Sequence, residues 1–223
     1  MTQNLPTKPA SGDARYHHGD LRHALIAAAL SLLTEEQNWN FSLREVARRA
    51  GVSHNAPYNH FRSKQDLLAA AAAAGFDGLR AQMQQAASQA DTSAAALRAI
   101  GVAYVCFGTA NPAHYRLMFG TVLTSTEICP PPVVGEAAAA AKDVLRDVLR
   151  QGMDEGEFAA PPGGLDTAVL SAWSLVHGLT TLLIDGLAAE GTITSALAER
   201  TAGPVSQLLL DGLGVKNRWI KSR

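Results

Sequence analysis

The segment from Ser42 to Leu68, SLREVARRAGVSHNAPYNHFRSKQDLL, carries the residues best spaced for molecular recognition. Ala47 stands four residues before Gly51, and the apolar Val52 follows it. A small residue lets one short helix approach another. A glycine supplies the positive φ of a sharp turn, and an apolar residue pins the corner. This spacing predicts a helix-turn-helix, whose second helix enters the major groove of duplex DNA. His54 to Phe61 is then expected to be a rod presented outward, fitting between the sugar-phosphate backbones. His54 and Asn55 lead that rod and are the candidates for base edges, and Ser53 just before them joins the DNA-contacting set. Asparagine can bond adenine through two hydrogen bonds, for about 1–3 kcal/mol of discrimination.

Other reactive residues are sparse. Tyr16, His17 and His18 precede the first helix, but two adjacent histidines do not easily share one metal ion and no third ligand is near them. They read as an arm brushing phosphates or as an inert tail. Cys106 and Cys129 lack CxxC spacing and read as packed free thiols, so neither a metal site nor a disulfide framework is expected. The sequence holds no DDxxD-like cluster, nucleophile elbow or phosphate loop. Asp154, Glu155 and Glu157 sit at a helix end and read as a solvated terminus. An α-helical enzyme therefore has no residues to rest on, and no cofactor is implied.

The elements that position the segment follow from composition. Of 223 residues 47% are apolar and only 6% aromatic, and alanine is abundant. That favours helix over sheet and predicts an all-α fold of about nine helices. Net charge is −1, but the first 70 residues hold 8 Lys and Arg against 6 Asp and Glu, while the remainder is net negative. Five of the seven histidines also lie in this mildly basic end. The first 15 residues lack an apolar core and read as a disordered arm rather than a secretory signal. Thr167 to Ile184 has no Asp, Glu, Lys or Arg over 18 residues. Its hydroxyl residues, His177 and acidic flanks favour a buried or interface helix over a membrane span. A cytoplasmic location is expected.

Asp20 is expected to cap a first helix running to about Gln37, with Leu21, Leu25, Ala28, Ala29 and Leu32 on one face. Ser42 caps the second, with Glu45 completing a capping box. Ser63, with Asp66 three residues on, caps a helix that runs through the alanines 69–74 towards Ala87. Further helices are expected at about 93–110, 112–120, 133–154, 165–189 and 194–213, with Gly203-Pro204 kinking the last. The alanine runs imply helix and no chemistry. The domains read as an arm, 1–15, a DNA-binding unit, 16–70, and a ligand-binding and dimerisation unit, 71–215.

LREVARRAGVS (43–53), YNHF (58–61) and SKQDLL (63–68) resemble the TetR (tetracycline repressor) family of bacterial regulators. NPAHYRLMFG (111–120) and AWSLVHGL (172–179) resemble a subgroup whose C-terminal domain carries a Trp-His-Gly signature, matched by Trp173, His177 and Gly178. The resemblance implies that Tyr58 and His60 bond phosphates, that Ser42 and Lys64 add further phosphate contacts, and that Arg44 reaches a guanine. Arg48 and Arg49 are left as solvated helix face. Asn59 stands where a basic residue is common, which removes one possible charge contact, but it still joins the DNA-contacting set. Pro57 stands where the family usually has Leu or Ile, so the second helix should start late or with a tight first turn.

In the second half, Tyr104, Phe107, His114, Tyr115, Arg116, Met118, Phe119, Trp173 and His177 are candidate pocket residues, with core packing as the alternative. His177 stands out as a polar group on an apolar helix, either a ligand contact or bonded to a carbonyl or tyrosine. The expected protein is a homodimeric regulator, most simply a repressor. A small apolar or amphipathic effector releases it from a pseudo-palindromic operator, and helices 165–189 and 194–213 pair the subunits. The competing expectation is an architectural or division-control DNA-binding protein of the same fold without an inducer.

Overall fold

The computed structural model describes residues 18–36, 39–123, 131–188 and 194–214. Within them every regular element is helical. Eight α-helices run in order: α1 (His18–Glu36), α2 (Leu43–Arg49), α3 (Lys64–Ser88), α4 (Ser93–Ala110), α5 (Pro112–Phe119), α6 (Pro132–Asp154), α7 (Gly164–Ile184) and α8 (Ser195–Leu213). Two 3-10 turns, Ala56–Asn59 and Thr121–Leu123, complete the set. The arm, Tyr16, His17 and Cys129 lie outside the described residues.

The local signals explain most boundaries. The hydroxyl of Ser42 accepts from the Glu45 amide, and the Glu45 carboxylate accepts from the Ser42 amide at 2.6 Å. Ser63 and Asp66 close the same reciprocal box at the start of α3. At the far end of α2, the amides of Gly51 and Val52 donate to the carbonyls of Arg48 and Ala47, with Gly51 at φ +69°. This is the left-handed closure that glycine permits. The same closure at Gly186 (φ +70°) ends α7 at Ile184, short of the expected 189. Asp20 lies inside the first turn of α1 rather than at its cap. α8 runs through Pro204 as one helix.

The acids after α6 are not a free terminus. Glu157 accepts from the amides of Ser93 and Ala94, at 3.2 and 2.9 Å, and Glu155 accepts from the Ser93 hydroxyl. Carboxylates there satisfy amides that have no partner within the helix, and they face the positive end of its dipole. The chain after α6 is thereby fastened to the start of α4. Arg49 is likewise engaged, by a two-pronged ion pair with Glu35 of α1.

α3 packs against α1, α4, α5 and α6, while α4 packs against α3, α6, α7 and α8. The boundary expected at residue 70 therefore falls within a single continuous helix. α4 and α7 are long and apolar enough to cross a membrane by length and composition, yet 50% of the α4 window and 39% of the α7 window are buried in this fold. We expect Ser63→Ala to cost about 1 kcal/mol of stability in urea unfolding, because the cap at the start of α3 is lost. A loss well below that would mean that tertiary packing, and not the cap, fixes where α3 begins.

Candidate functional site: a DNA-reading turn and an apolar cavity

The expected recognition rod is a single 3-10 turn rather than an α-helix from His54 to Phe61. Pro57 has no N–H to give to the Ser53 carbonyl four residues back. That carbonyl instead accepts from Ala56 at 3.0 Å, and Asn55 accepts from Tyr58 at 3.2 Å, both at three-residue spacing. Pro57 is buried and Phe61 closes the turn beneath it, with the Arg22 guanidinium of α1 5.4 Å above the Phe61 ring. The outward residues are still presented together. Ser53, His54, Asn55 and Asn59 are exposed, as is Arg44 on α2, and His60 is half-buried. Tyr58 is 52% exposed, which is high for an aromatic residue.

Two expected phosphate contacts are otherwise engaged. The Ser42 hydroxyl belongs to its capping box. The Lys64 ammonium donates to the Trp39 carbonyl and lies 4.9 Å over the Phe41 ring. Burial holds its pKa below the usual lysine value, opposed by nearby Glu45. Lys64 therefore fastens the start of α3 to the chain between α1 and α2.

The second half holds a partly open cavity of about 190 Å³. Phe76, Leu79 and Met83 of α3 form one wall, and Leu97, Ile100, Gly101 and Tyr104 of α4 another. α6 contributes Gly135, Ala138, Ala139, Ala141, Lys142 and Leu145. Phe119, Ala172, Trp173, Leu175, Val176, Ser206 and Leu209 complete the lining. Of the nine expected pocket residues, only Tyr104, Phe119 and Trp173 reach it.

The others have different work. Arg116 is exposed and pairs with Asp185 at 2.8 Å, tying α5 to the end of α7. Phe107 is buried against Gly78 of α3. His114 Nε2 lies 2.7 Å from the Ala71 carbonyl of α3. Gly75 makes that approach possible, since a Cβ there would sit 2.6 Å from both His114 Nε2 and the Met118 sulfur. Sequence reading missed the contributions of α6 and α8. Residues 137–141 looked like featureless helix, yet small side chains are what leave space beside a neighbouring helix.

His177 and Tyr115 lie behind the cavity wall in one polar network. Trp173 Nε1 donates to the Tyr104 hydroxyl at 3.3 Å, and that hydroxyl lies 3.1 Å from the Tyr115 hydroxyl. Tyr115 and Tyr104 approach His177 Nδ1 at 2.6 and 3.2 Å. The donors balance when Nδ1 accepts from Tyr115, so His177 is a neutral imidazole with its proton on Nε2. Burial acts the same way, lowering the pKa of His177 and pushing the Tyr104 phenol up to about 12. Of the two alternatives for His177, the structure favours the tyrosine-bonded one. Among the described residues no group of three or more His, Cys, Asp or Glu could hold a metal ion.

Residues 25–71 match a family described as bacterial regulatory proteins, tetR family, and residues 97–203 match one described as tetracyclin repressor-like, C-terminal domain. A solved protein of unknown function from Rhodococcus sp. RHA1 is 31% identical. That match covers 91% of this chain and all of that one, with a TM-score of 0.75. A bacterial regulatory protein in the tetR family from Rhodococcus RHA1 is 19% identical, over 87% of this chain and 97% of that one, at TM-score 0.66. The transcriptional regulator FadR from Bacillus subtilis, solved with stearoyl-CoA, is 15% identical over 86% and 98%, at TM-score 0.69.

The histidine pKa values set a pH dependence. A base whose pKa is depressed on folding stays neutral in the fold while the unfolded chain takes up its proton. Stability should then be highest above the unfolded histidine value and fall as pH drops below about 6.5. His177→Asn places an amide oxygen where Nδ1 stood, keeps an acceptor for Tyr115 and cannot titrate. It should flatten the fall in melting temperature between pH 7.5 and 5.5, and an unaltered slope would remove His177 from this account.

Proposed function

The chain belongs to the tetR family of bacterial regulatory proteins, and on that ground we propose that it is a ligand-responsive repressor acting as a homodimer on a pseudo-palindromic operator. The observation that carries this reading is α3. It begins three residues after the DNA-reading turn closes at Phe61, and its later turns supply Phe76, Leu79 and Met83 to the cavity wall. One rigid helix then belongs to both the reader and the pocket, so whatever fills the pocket bears on the reader's position.

The proposed coupling is a competition between two spacings of the paired readers. Operator DNA favours the spacing that matches successive major grooves. An effector favours the other by acting on α3 directly and through α5, which grips α3 at Ala71. Such coupling is worth about 1–3 kcal/mol in typical cases. The dimer face is supported by Leu170 and Leu182 on α7 and Leu208 on α8, which are large, apolar and exposed in the single chain. Trp173, His177 and Gly178 support placement in the group with the Trp-His-Gly signature. That FadR was solved with stearoyl-CoA supports an amphipathic effector for this fold in general terms.

For DNA we propose base contacts from Ser53, His54, Asn55, Asn59 and Arg44, and phosphate contacts from Tyr58 and His60. Ser42 and Lys64 act mainly by setting the ends of α2 and α3, with Lys64 adding positive potential. Gel-shift titration against genomic fragments tests this. Tyr58→Ala and His60→Ala should weaken binding to every sequence alike, whereas Asn55→Ala should relax preference at one base position by about 1–3 kcal/mol. A site preference unchanged in Asn55→Ala would remove that residue from base reading. Operator binding that no cavity ligand releases would favour the architectural alternative.

A further inference from the structure

The cavity wall holds one feature that the apolar packing does not explain. The Ser206 hydroxyl is buried, with the residue only 4% exposed, and it has no hydrogen-bond partner among the described residues. A helical serine ordinarily relieves such isolation by bonding a carbonyl one turn back. Here the hydroxyl lies against α4 at Gly101, where a Cβ would stand 2.5 Å from it. Glycine thus keeps open the spot that Ser206 occupies. Leaving a buried hydroxyl unpaired costs about 1–3 kcal/mol, so an unpaired one in a cavity wall is a group awaiting a partner.

A second polar feature lines the same space. Lys142 is exposed, with its ammonium 5.8 Å over the ring of Trp173, and it is the only charged residue lining the cavity among the described residues. Among the described residues no carboxylate lines the space, so none of them offers a cationic ligand a partner. The walls between Lys142 and Ser206 are hydrocarbon and aromatic, with Phe76 and Phe119 edge to face at 5.1 Å. At about 190 Å³ the space suits a single ring with a short extension, since a cavity of about 150 Å³ takes up benzene.

We infer that the cavity binds a small aromatic carboxylate whose ring carries a hydrogen-bonding substituent. The ring lies among Phe76, Leu79 and Ile100, the carboxylate reaches Lys142, and the ring substituent pairs with Ser206. The inference rests on the cavity being the effector site, as proposed above, and it specifies the chemistry of what enters.

Three probes separate these contacts: hydrocinnamate, its neutral amide, and para-hydroxyhydrocinnamate. Binding is read by calorimetry and by quenching of tryptophan fluorescence, on the full-length protein. The acid should bind about fivefold more tightly than the amide, the worth of a partly exposed ion pair. The para-hydroxyl should add about fivefold more, the worth of one hydrogen bond to a buried group. Lys142→Met keeps the packing on Trp173 and should erase the difference between acid and amide alone. Ser206→Ala should erase the hydroxyl gain alone, with thermal unfolding confirming that both variants fold.

Equal affinity for acid and amide, an acid preference that survives Lys142→Met, or no binding of any probe at millimolar concentration would overturn the inference. So would a hydroxyl gain that survives Ser206→Ala. Gel shifts with the same probes separate this result from the regulatory reading. Ranked binding without release of DNA upholds the ligand chemistry and defeats the effector role. Release by an unrelated compound, with no probe bound, does the reverse.

Discussion

The structure depends on how closely other helices can approach α3. Its alanines from Ala69 to Ala73 are buried, and Gly75 admits His114 and Met118 against its backbone. Small residues along one helix let the neighbouring backbones come near, so α3 can be shared by α1 on one side and by α4, α5 and α6 on the other. Only where larger residues begin, at Phe76, Leu79 and Met83, do the partners stand off far enough to leave a cavity. Close packing in one stretch and open space in the next are consequences of the same sequence grading along α3.

That arrangement places the start of α3 beside the reading turn and its later turns at the cavity. The reading turn has little structure of its own, being one 3-10 turn held by buried Pro57 and Phe61. Its position comes from what surrounds it: the glycine closure of α2, the Arg22 side chain above Phe61, and the Lys64 anchor to the chain after α1. A short turn held by its neighbours follows their movement more directly than a long independent helix would. The polar network of Trp173, Tyr104, Tyr115 and His177 links α7, α4 and α5 behind the cavity, and His114 carries the link from α5 to α3. Its donors and acceptors are matched, so displacing one ring disturbs the others.

The fold was legible in the sequence wherever the signal was local. Both capping boxes, the glycine turn at 51 and the run of α3 to Ser88 need only residues a few positions apart. The turn at Pro57 was half legible. A missing N–H forbids a regular first turn, but how far the tight geometry extends depends on Phe61 and Pro57 finding burial against α1 and α3. The site was less legible. Tyr104, Phe119 and Trp173 are aromatic and drew notice, whereas Ser206, Gly101 and the alanines of α6 are ordinary residues whose role arises only from what lies opposite them. Arg116, Glu155 and Glu157 show the same thing, for their partners stand dozens of residues away.

The sequence alone determined the helical class, the starts of α2 and α3, the glycine stop after α2, and the presence of a DNA-reading unit near the N-terminus. Each is written in short-range chemistry: caps, missing donors, positive-φ glycines and helical spacing of apolar residues. Tertiary structure decided which side chains face the cavity and which merely pack. It turned Lys64 inward, made His177 a neutral partner of two tyrosines, and left one serine hydroxyl unpaired beside a glycine. Those outcomes depend on the distance between helices far apart in the chain, and that distance is set by the packing of all of them together.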